Sequence, residues 1–293
     1  MSETEINVDC PVCGNQTRVL GTQRGILDNR FFFIRNCFYC RFSFVSNYRD
    51  DYEKIYNEDY YLGFCADPIL DYIYELDNQD STIRNYEWQG IYEIFIKNFP
   101  KGGRWLDFGC GAGGLVSFGK KKGIDIIGAE DGWAAEKGRE IGISILKTTE
   151  LESLSECFDF ISAIEVLEHI SNPIETFHKI RKLLKPGGVL FLTTGNAKPW
   201  RNRLLQWSYT KCPDVHISFF EPHTLSICLE STGFASFDHN SFDGFTNIIK
   251  YKILKTMRVK NCNFLIDALP WGFIARAIDF KYQVSKHPYG VAI

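Results

Sequence analysis

The chain has 293 residues, 45% of them hydrophobic and 15% aromatic, with a formal net charge of −3. That length and apolar share predict a real core in one large domain with attachments, or in two domains. The near-balanced charge excludes a global field for nucleic acid or an anionic membrane, and no apolar run reaches the length of a bilayer span, 264–280 being broken by Asp267, Pro270, Arg276 and Asp279.

The polar, acidic first residues are read as no export signal. Ten cysteines then suit a reducing compartment, and the expected location is cytoplasmic. Four of them fall as Cys10-Pro-Val-Cys13 and Cys37-Phe-Tyr-Cys40. Two C-x-x-C pairs at this separation suit two knuckles that aim four sulfurs at one structural, tetrahedral zinc. Residues 30–35 read as the ribbon strand between them, which makes 1–48 a zinc-knuckle module. The first 50 residues hold six Arg, no Lys and five acids, too little net charge for a phosphate footprint.

Residues 49–100 are a Tyr-rich connector ending in a helix over 83–99. Strands over 104–108, 124–130, 144–147, 158–164 and 189–194 then alternate with helices over 115–122, 134–141, 174–184 and 222–231. Alternation of this kind predicts parallel βαβ units and a doubly wound sheet with helices on both faces. Segments 234–240 and 289–293 are candidates for a final antiparallel pair, bringing the sheet to seven strands. Between them, an insertion at about 246–286 carries Lys250, Lys252, Lys255, Arg258 and Lys260. Its basic stretch is expected to be a solvated helix face, with a lid, an oligomer contact or a peripheral membrane contact as alternatives.

The most informative stretch is Asp107-Phe-Gly109-Cys110-Gly111-Ala-Gly113, an apolar strand that stops in alternating glycines and re-enters a helix. Bare backbone at such a turn lets a ligand approach closely. The third glycine comes too early for a dinucleotide fingerprint, no phosphate-loop Lys-Ser/Thr follows, and Asp107 suits a cationic ligand better than a pyrophosphate. About 20 residues on, Glu130-Asp131 closes the next strand, where an acid can accept both ribose hydroxyls.

These residues resemble the class I methyltransferases that use S-adenosylmethionine (SAM). Asp107, Gly109, Gly111 and Gly113 match the family's first motif, and Glu130 its ribose acid. Glu150 and Leu151 fall where the family meets the adenine, while 158–169 and 184–193 look like the fourth strand with its loop and the turn into the fifth. The segments 216–225 and 230–234 resemble small-molecule members. The likeness covers roughly 85–240 and makes 101–293 the SAM-binding domain. It implies a cofactor set of Asp107, Gly109, Cys110, Gly111, Gly113, Glu130, Asp131, Glu150, Leu151 and Glu165. A zinc knuckle ahead of such a domain resembles bacterial enzymes acting on sugars, surface polysaccharides or natural products.

Methyl transfer to oxygen or carbon needs a general base, and ligands of open α/β sheets sit beyond the strands' carboxyl ends. That nominates His169 and His216, with Tyr209, Asp214 and Asn196 behind them. The leading expectation is a SAM-dependent methyltransferase acting on a sugar, nucleotide sugar or glycan precursor. The alternatives are an RNA or protein methyltransferase that uses the knuckle to hold its substrate, and a SAM-binding module without catalysis.

Overall fold

The computed structural model describes residues 8–62, 71–235, 244–285 and 291–292. The chain opens with three antiparallel strands, β1 (Thr17–Arg24), β2 (Phe31–Cys37) and β3 (Ser43–Val45). The connector folds into short helices α1 (Tyr52–Ile55), α2 (Glu58–Tyr61) and α3 (Tyr72–Asp77), then α4 (Arg84–Asn98). Asn57 and Asp71 start α2 and α3 by accepting from the Tyr60 and Tyr74 N–H groups, which satisfies an otherwise orphaned donor.

The alternating core follows: β4 (Arg104–Phe108), α5 (Gly114–Lys121), β5 (Asp125–Ala129), α6 (Trp133–Glu140), β6 (Ile145–Leu146), β7 (Phe158–Ile164), α7 (Pro173–Leu183) and β8 (Leu184–Thr193). Next come β9 (Ser218–Phe219), α8 (Pro222–Ser231), α9 (Phe245–Thr256), α10 (Phe264–Asp267), α11 (Trp271–Ser285) and β10 (Val291–Ala292). Asn172 and Pro173 begin α7, the side chain accepting from Glu175 N–H and the proline filling the first helical position, where its missing donor costs nothing.

Among the described residues the main sheet has six strands in the order β10-β8-β7-β4-β5-β6, five of them parallel and β10 antiparallel to β8. Six of the seven expected strands fall within the described residues, and most of the one expected over 234–240 lies outside them. The apolar faces of β4 and β7 are buried on both sides, as parallel strands between helix layers require. Trp105, Phe95 and Phe160 form one core on the α4 side, and Phe158, Ile161, Phe177 and Leu225 another on the opposite side. Lys185-Pro186-Gly187-Gly188, expected as a turn, instead lies within β8, where a register shift against β7 absorbs it.

Two relationships were not visible in the sequence pattern. First, β9 pairs with β3, extending the N-terminal ribbon to four strands in the order β1-β2-β3-β9. Phe42 and Phe44 share a core with Phe220 and Leu225, and Thr224 donates to the Cys40 carbonyl at 2.8 Å. Second, α9 packs on α4 rather than presenting a solvated basic face. Gly244 allows the approach, since a Cβ there would collide with the Gly90 carbonyl. Lys250 is 5% exposed, 2.5 Å from Asp267 and over the Tyr86 ring at 3.6 Å. Only the far end keeps the expected character, with Arg258 and Lys260 exposed beside the exposed Met257, Phe264, Leu265 and Phe273. No helix among the described residues is long and apolar enough to cross a membrane.

Candidate functional site

The glycine turn lies at the carboxyl end of β4. Gly109, Gly111 and Gly113 all have positive φ (76°, 54° and 84°), the left-handed region that costs other residues energy. Space forbids a side chain as well: a Cβ on Gly109 would strike Val166, and one on Gly111 would lie 2.7 Å from the Tyr72 ring. Asp107 is buried beside the turn, accepting from Ser162 Oγ at 2.7 Å, and Ser162 accepts in turn from Trp105 Nε1 at 2.8 Å. Glu130 reaches back from the end of β5 and accepts from Gly111 N–H at 3.3 Å and Asp131 N–H at 2.9 Å. Burial pushes both carboxyls up to about 7, because removing a charge from water disfavours it.

The other residues expected near this turn are placed less directly. Cys110 is buried, its thiol pushed well up by burial. Asp131 is exposed and binds Thr148 at the start of the turn 148–153. Glu150 is exposed and folds back to accept from Lys147 N–H at 2.6 Å, whereas Leu151 is buried.

A cleft of about 500 Å³, open solvent at its mouth included, lies between this turn and the helices of the connector. Its walls include Asp107, Gly109, Leu115, Tyr72, Glu75 and Arg84. The last three had no motif to mark them. Arg84 contacts Glu87, Glu75 (3.3 Å) and Tyr251 OH (3.0 Å). Burial raises Glu75 to about 7 despite the neighbouring guanidinium. The Tyr-rich connector is therefore a cover: Tyr56, Tyr60, Tyr61 and Tyr72 meet edge to face in a chain, and Tyr61 stacks on Trp133.

A second chamber sits at the carboxyl ends of β7 and β8. Glu165, at φ 53°, accepts from Lys252 Nζ at 2.7 Å, Tyr209 OH at 2.7 Å and Thr193 Oγ1 at 3.1 Å. Burial alone would raise it, but the charges of Lys252 and Lys255 prevail and hold it well below the usual carboxyl range. Glu168 is 1% exposed and is pushed well up by burial and by the Glu165 charge. His169 Nδ1 lies 3.1 Å from both Val215 O and Tyr56 OH, and His216 Nδ1 lies 3.3 Å from Tyr209 O. The two imidazoles are 5.0 Å apart and Tyr209 stacks on His216 at 4.5 Å. Burial pulls His169 down to about 4 and His216 to about 3, so both are neutral near pH 7. The structure thus brings both nominated histidines and Tyr209 into one place. Of the two weaker candidates, Asp214 accepts from Ile26 N–H at 2.6 Å, and Asn196 accepts from Lys198 N–H at 3.0 Å.

The four knuckle cysteines also converge. Cys10 and Cys40 sulfurs are 3.4 Å apart, those of Cys13 and Cys37 3.5 Å, and all four lie within 4.8 Å of one another. These separations are far beyond a disulfide bond and near the edge of a tetrahedron built on metal–sulfur bonds of ~2.3 Å. The contact with Cys40 draws the Cys10 thiol down to about 6 and, together with burial, pushes Cys40 up.

The family described as "Methyltransferase domain" matches residues 81–237. Similar curated proteins include the ubiquinone biosynthesis O-methyltransferases of Roseobacter denitrificans, 37% identical over 34% of this chain and 44% of that one, and of Dinoroseobacter shibae, 29% identical over 47% and 62%. The chain spans less than two thirds of the length of these relatives. Among solved structures, a SAM-dependent methyltransferase from Archaeoglobus fulgidus is 18% identical with a TM-score of 0.48, covering 75% of this chain and 96% of that one.

Proposed function

Because this chain belongs to the methyltransferase-domain family, we propose that it transfers a methyl group from SAM to a hydroxyl of a small-molecule acceptor. When bound, SAM supplies a methyl carbon activated on a sulfonium. The observation that carries the reading is a buried carboxyl, Asp107, and a half-buried one, Glu130, flanking glycines that no side chain could replace. Such a seat suits a positively charged nucleoside. Glu130 would take the ribose hydroxyls, and the Arg84–Glu75 pair offers opposite charges to the two ends of an amino acid group.

The acceptor would enter the chamber at the ends of β7 and β8. There Tyr56, Trp207 and Tyr209 supply aromatic walls, and His169 and His216 meet the reacting hydroxyl. Holding acceptor and methyl carbon in line is worth up to about 7–11 kcal/mol, and a dry chamber favours loss of the sulfonium charge. Flat aromatic walls suit an aromatic acceptor ring and equally a sugar face, the class expected from the knuckle. The four-cysteine cluster would hold a structural zinc, since its thiols are closed round one centre.

A second reading is kept for one observation. On the ribbon, Phe31 (57%) and Tyr39 (71%) are exposed, and Arg18 lies over Phe38 at 3.9 Å, a surface on which unpaired bases can stack. Methyl-labelled SAM offered with catechols, nucleotide sugars, total RNA and cell protein separates the two. Label in a small molecule is expected. Label in RNA alone would transfer the assignment to the second reading, and absence of SAM binding by calorimetry would remove both.

A further inference from the structure

Glu168 is left unexplained by methyl transfer alone. Its Oε2 accepts from Thr194 Oγ1 at 2.7 Å, but Oε1 is buried without a hydrogen-bond partner. A buried carboxyl oxygen that no N–H or O–H reaches, set against the neighbouring Glu165 carboxylate, is costly, and proteins retain such a group where something else binds it. Beside it stand His169 and His216, and one ligand atom from each of the three residues lies within 4.8 Å of the others.

The histidines are oriented for this. Each Nδ1 faces a backbone carbonyl, Val215 O at 3.1 Å and Tyr209 O at 3.3 Å. A carbonyl only accepts, which favours the ring proton on each Nδ1 and the lone pair on each Nε2, with Tyr56 OH a second neighbour of His169 Nδ1 at 3.1 Å. Anchoring the far nitrogen in this way is how metal-ligating histidines are held, and the Thr194 hydroxyl does the same for the carboxylate. Glu165 is not a fourth ligand in this arrangement, because Lys252, Thr193 and Tyr209 occupy its oxygens.

We propose that Glu168, His169 and His216 form a binding site for a divalent transition-metal cation, separate from the cysteine cluster, whose coordination the acceptor hydroxyl completes. Bonds of ~2.1 Å spread evenly round one ion hold three ligand atoms at most ~3.6 Å apart, so atoms that lie within 4.8 Å of one another must draw in by up to ~1.2 Å. Two imidazoles and one carboxylate leave open positions, the pattern that serves iron, manganese or zinc. The role rests on the reading of this chamber as the acceptor site. A ligated hydroxyl loses its proton to solvent more readily. Its oxygen then forms the new O–C bond as the C–S bond breaks and the electron pair returns to sulfur. The histidines on this account hold the cation and do not take the proton.

The test uses the full chain with zinc supplied, so that the cysteine cluster is filled, and titrates Mn²⁺ by electron paramagnetic resonance. Manganese avoids thiolates. Wild-type protein is expected to bind one Mn²⁺ per chain, Glu168→Gln and His216→Asn at least tenfold more weakly, while zinc content and SAM affinity stay within twofold. Thr194→Val, which keeps all three ligands, should weaken Mn²⁺ severalfold and controls for misfolding. No Mn²⁺ uptake by wild type, or equal uptake by Glu168→Gln, overturns the site. Methyl transfer that continues at full rate after chelation also overturns it and leaves the methyltransferase reading intact. Loss of SAM binding in wild type would strike that reading instead, with the Mn²⁺ titration still deciding the site.

Discussion

At the level of single residues, the two carboxyls at the glycine turn make the sharpest statement. Asp107 and Glu130 sit at about 7 through burial, well above the ordinary carboxyl range. Between that range and pH 7 the folded chain holds protons that an unfolded chain has released, so these groups subtract stability as pH rises toward 7. A cationic ligand has the opposite preference. SAM affinity is therefore expected to strengthen between pH 6 and pH 8, and calorimetry giving one Kd at both would count against the seat. Glu130→Ala should weaken SAM by about 1–3 kcal/mol, the scale of hydrogen bonds to a charged group. These positions were legible because alternating glycines after an acid are dictated by backbone geometry, which is local. Arg84, Glu75 and Tyr72 were not, since what places them at the cleft is the docking of the connector over the sheet. The sole local trace is Glu87, three residues after Arg84 on α4, a pairing common on any solvated helix.

Among the elements, strands β4 and β7 fell where their apolar runs predicted, and α8 likewise. Period and turn chemistry mark such elements without tertiary help. The lysines of α9 show the limit. A run of basic residues has the same pattern on a solvated face as on a packed one, and the burial of Lys250 depends on Asp267 and Tyr86, which the fold supplies. Lys252 is more telling, because it lies 2.7 Å from Glu165 and 3.8 Å from Glu87, itself 1% exposed. Removing one partner of a fully buried pair costs about 3–5 kcal/mol, and less is expected here because the Lys252 side chain is 33% exposed. Lys252→Ala should lower stability in urea while Lys252→Arg retains most of it. Equal midpoints for alanine variant and wild type would show that the ion pair carries nothing.

For the molecule as a whole, composition and alternation conveyed the α/β class. What lay beyond reading was a two-residue strand: β9 has no period to detect, yet it joins ribbon and body through Ser43–Phe219 and Phe44–Ser218. With Phe42, Phe44, Phe220 and Leu225 in one core, ribbon and body are expected to unfold together. If the cysteine cluster holds zinc as proposed, Cys37→Ser should lower zinc content and shift the single calorimetric transition downward. Two separate transitions, with the later one unmoved, would mean the ribbon folds apart from the body.

The peptide at Ile217 has a further bearing. Its carbonyl accepts from Val45 N–H at 2.8 Å, and its N–H donates to the Glu168 carbonyl at 2.8 Å. The backbone of this one residue, through the peptide planes on either side of its Cα, therefore splices the cysteine-bearing ribbon to the loop of Glu168 and His169, immediately after His216. Oxidants or chelators that attack the distant thiols would be felt as slackened alignment where bonds are made. Turnover in this protein should accordingly track the redox state of its knuckle.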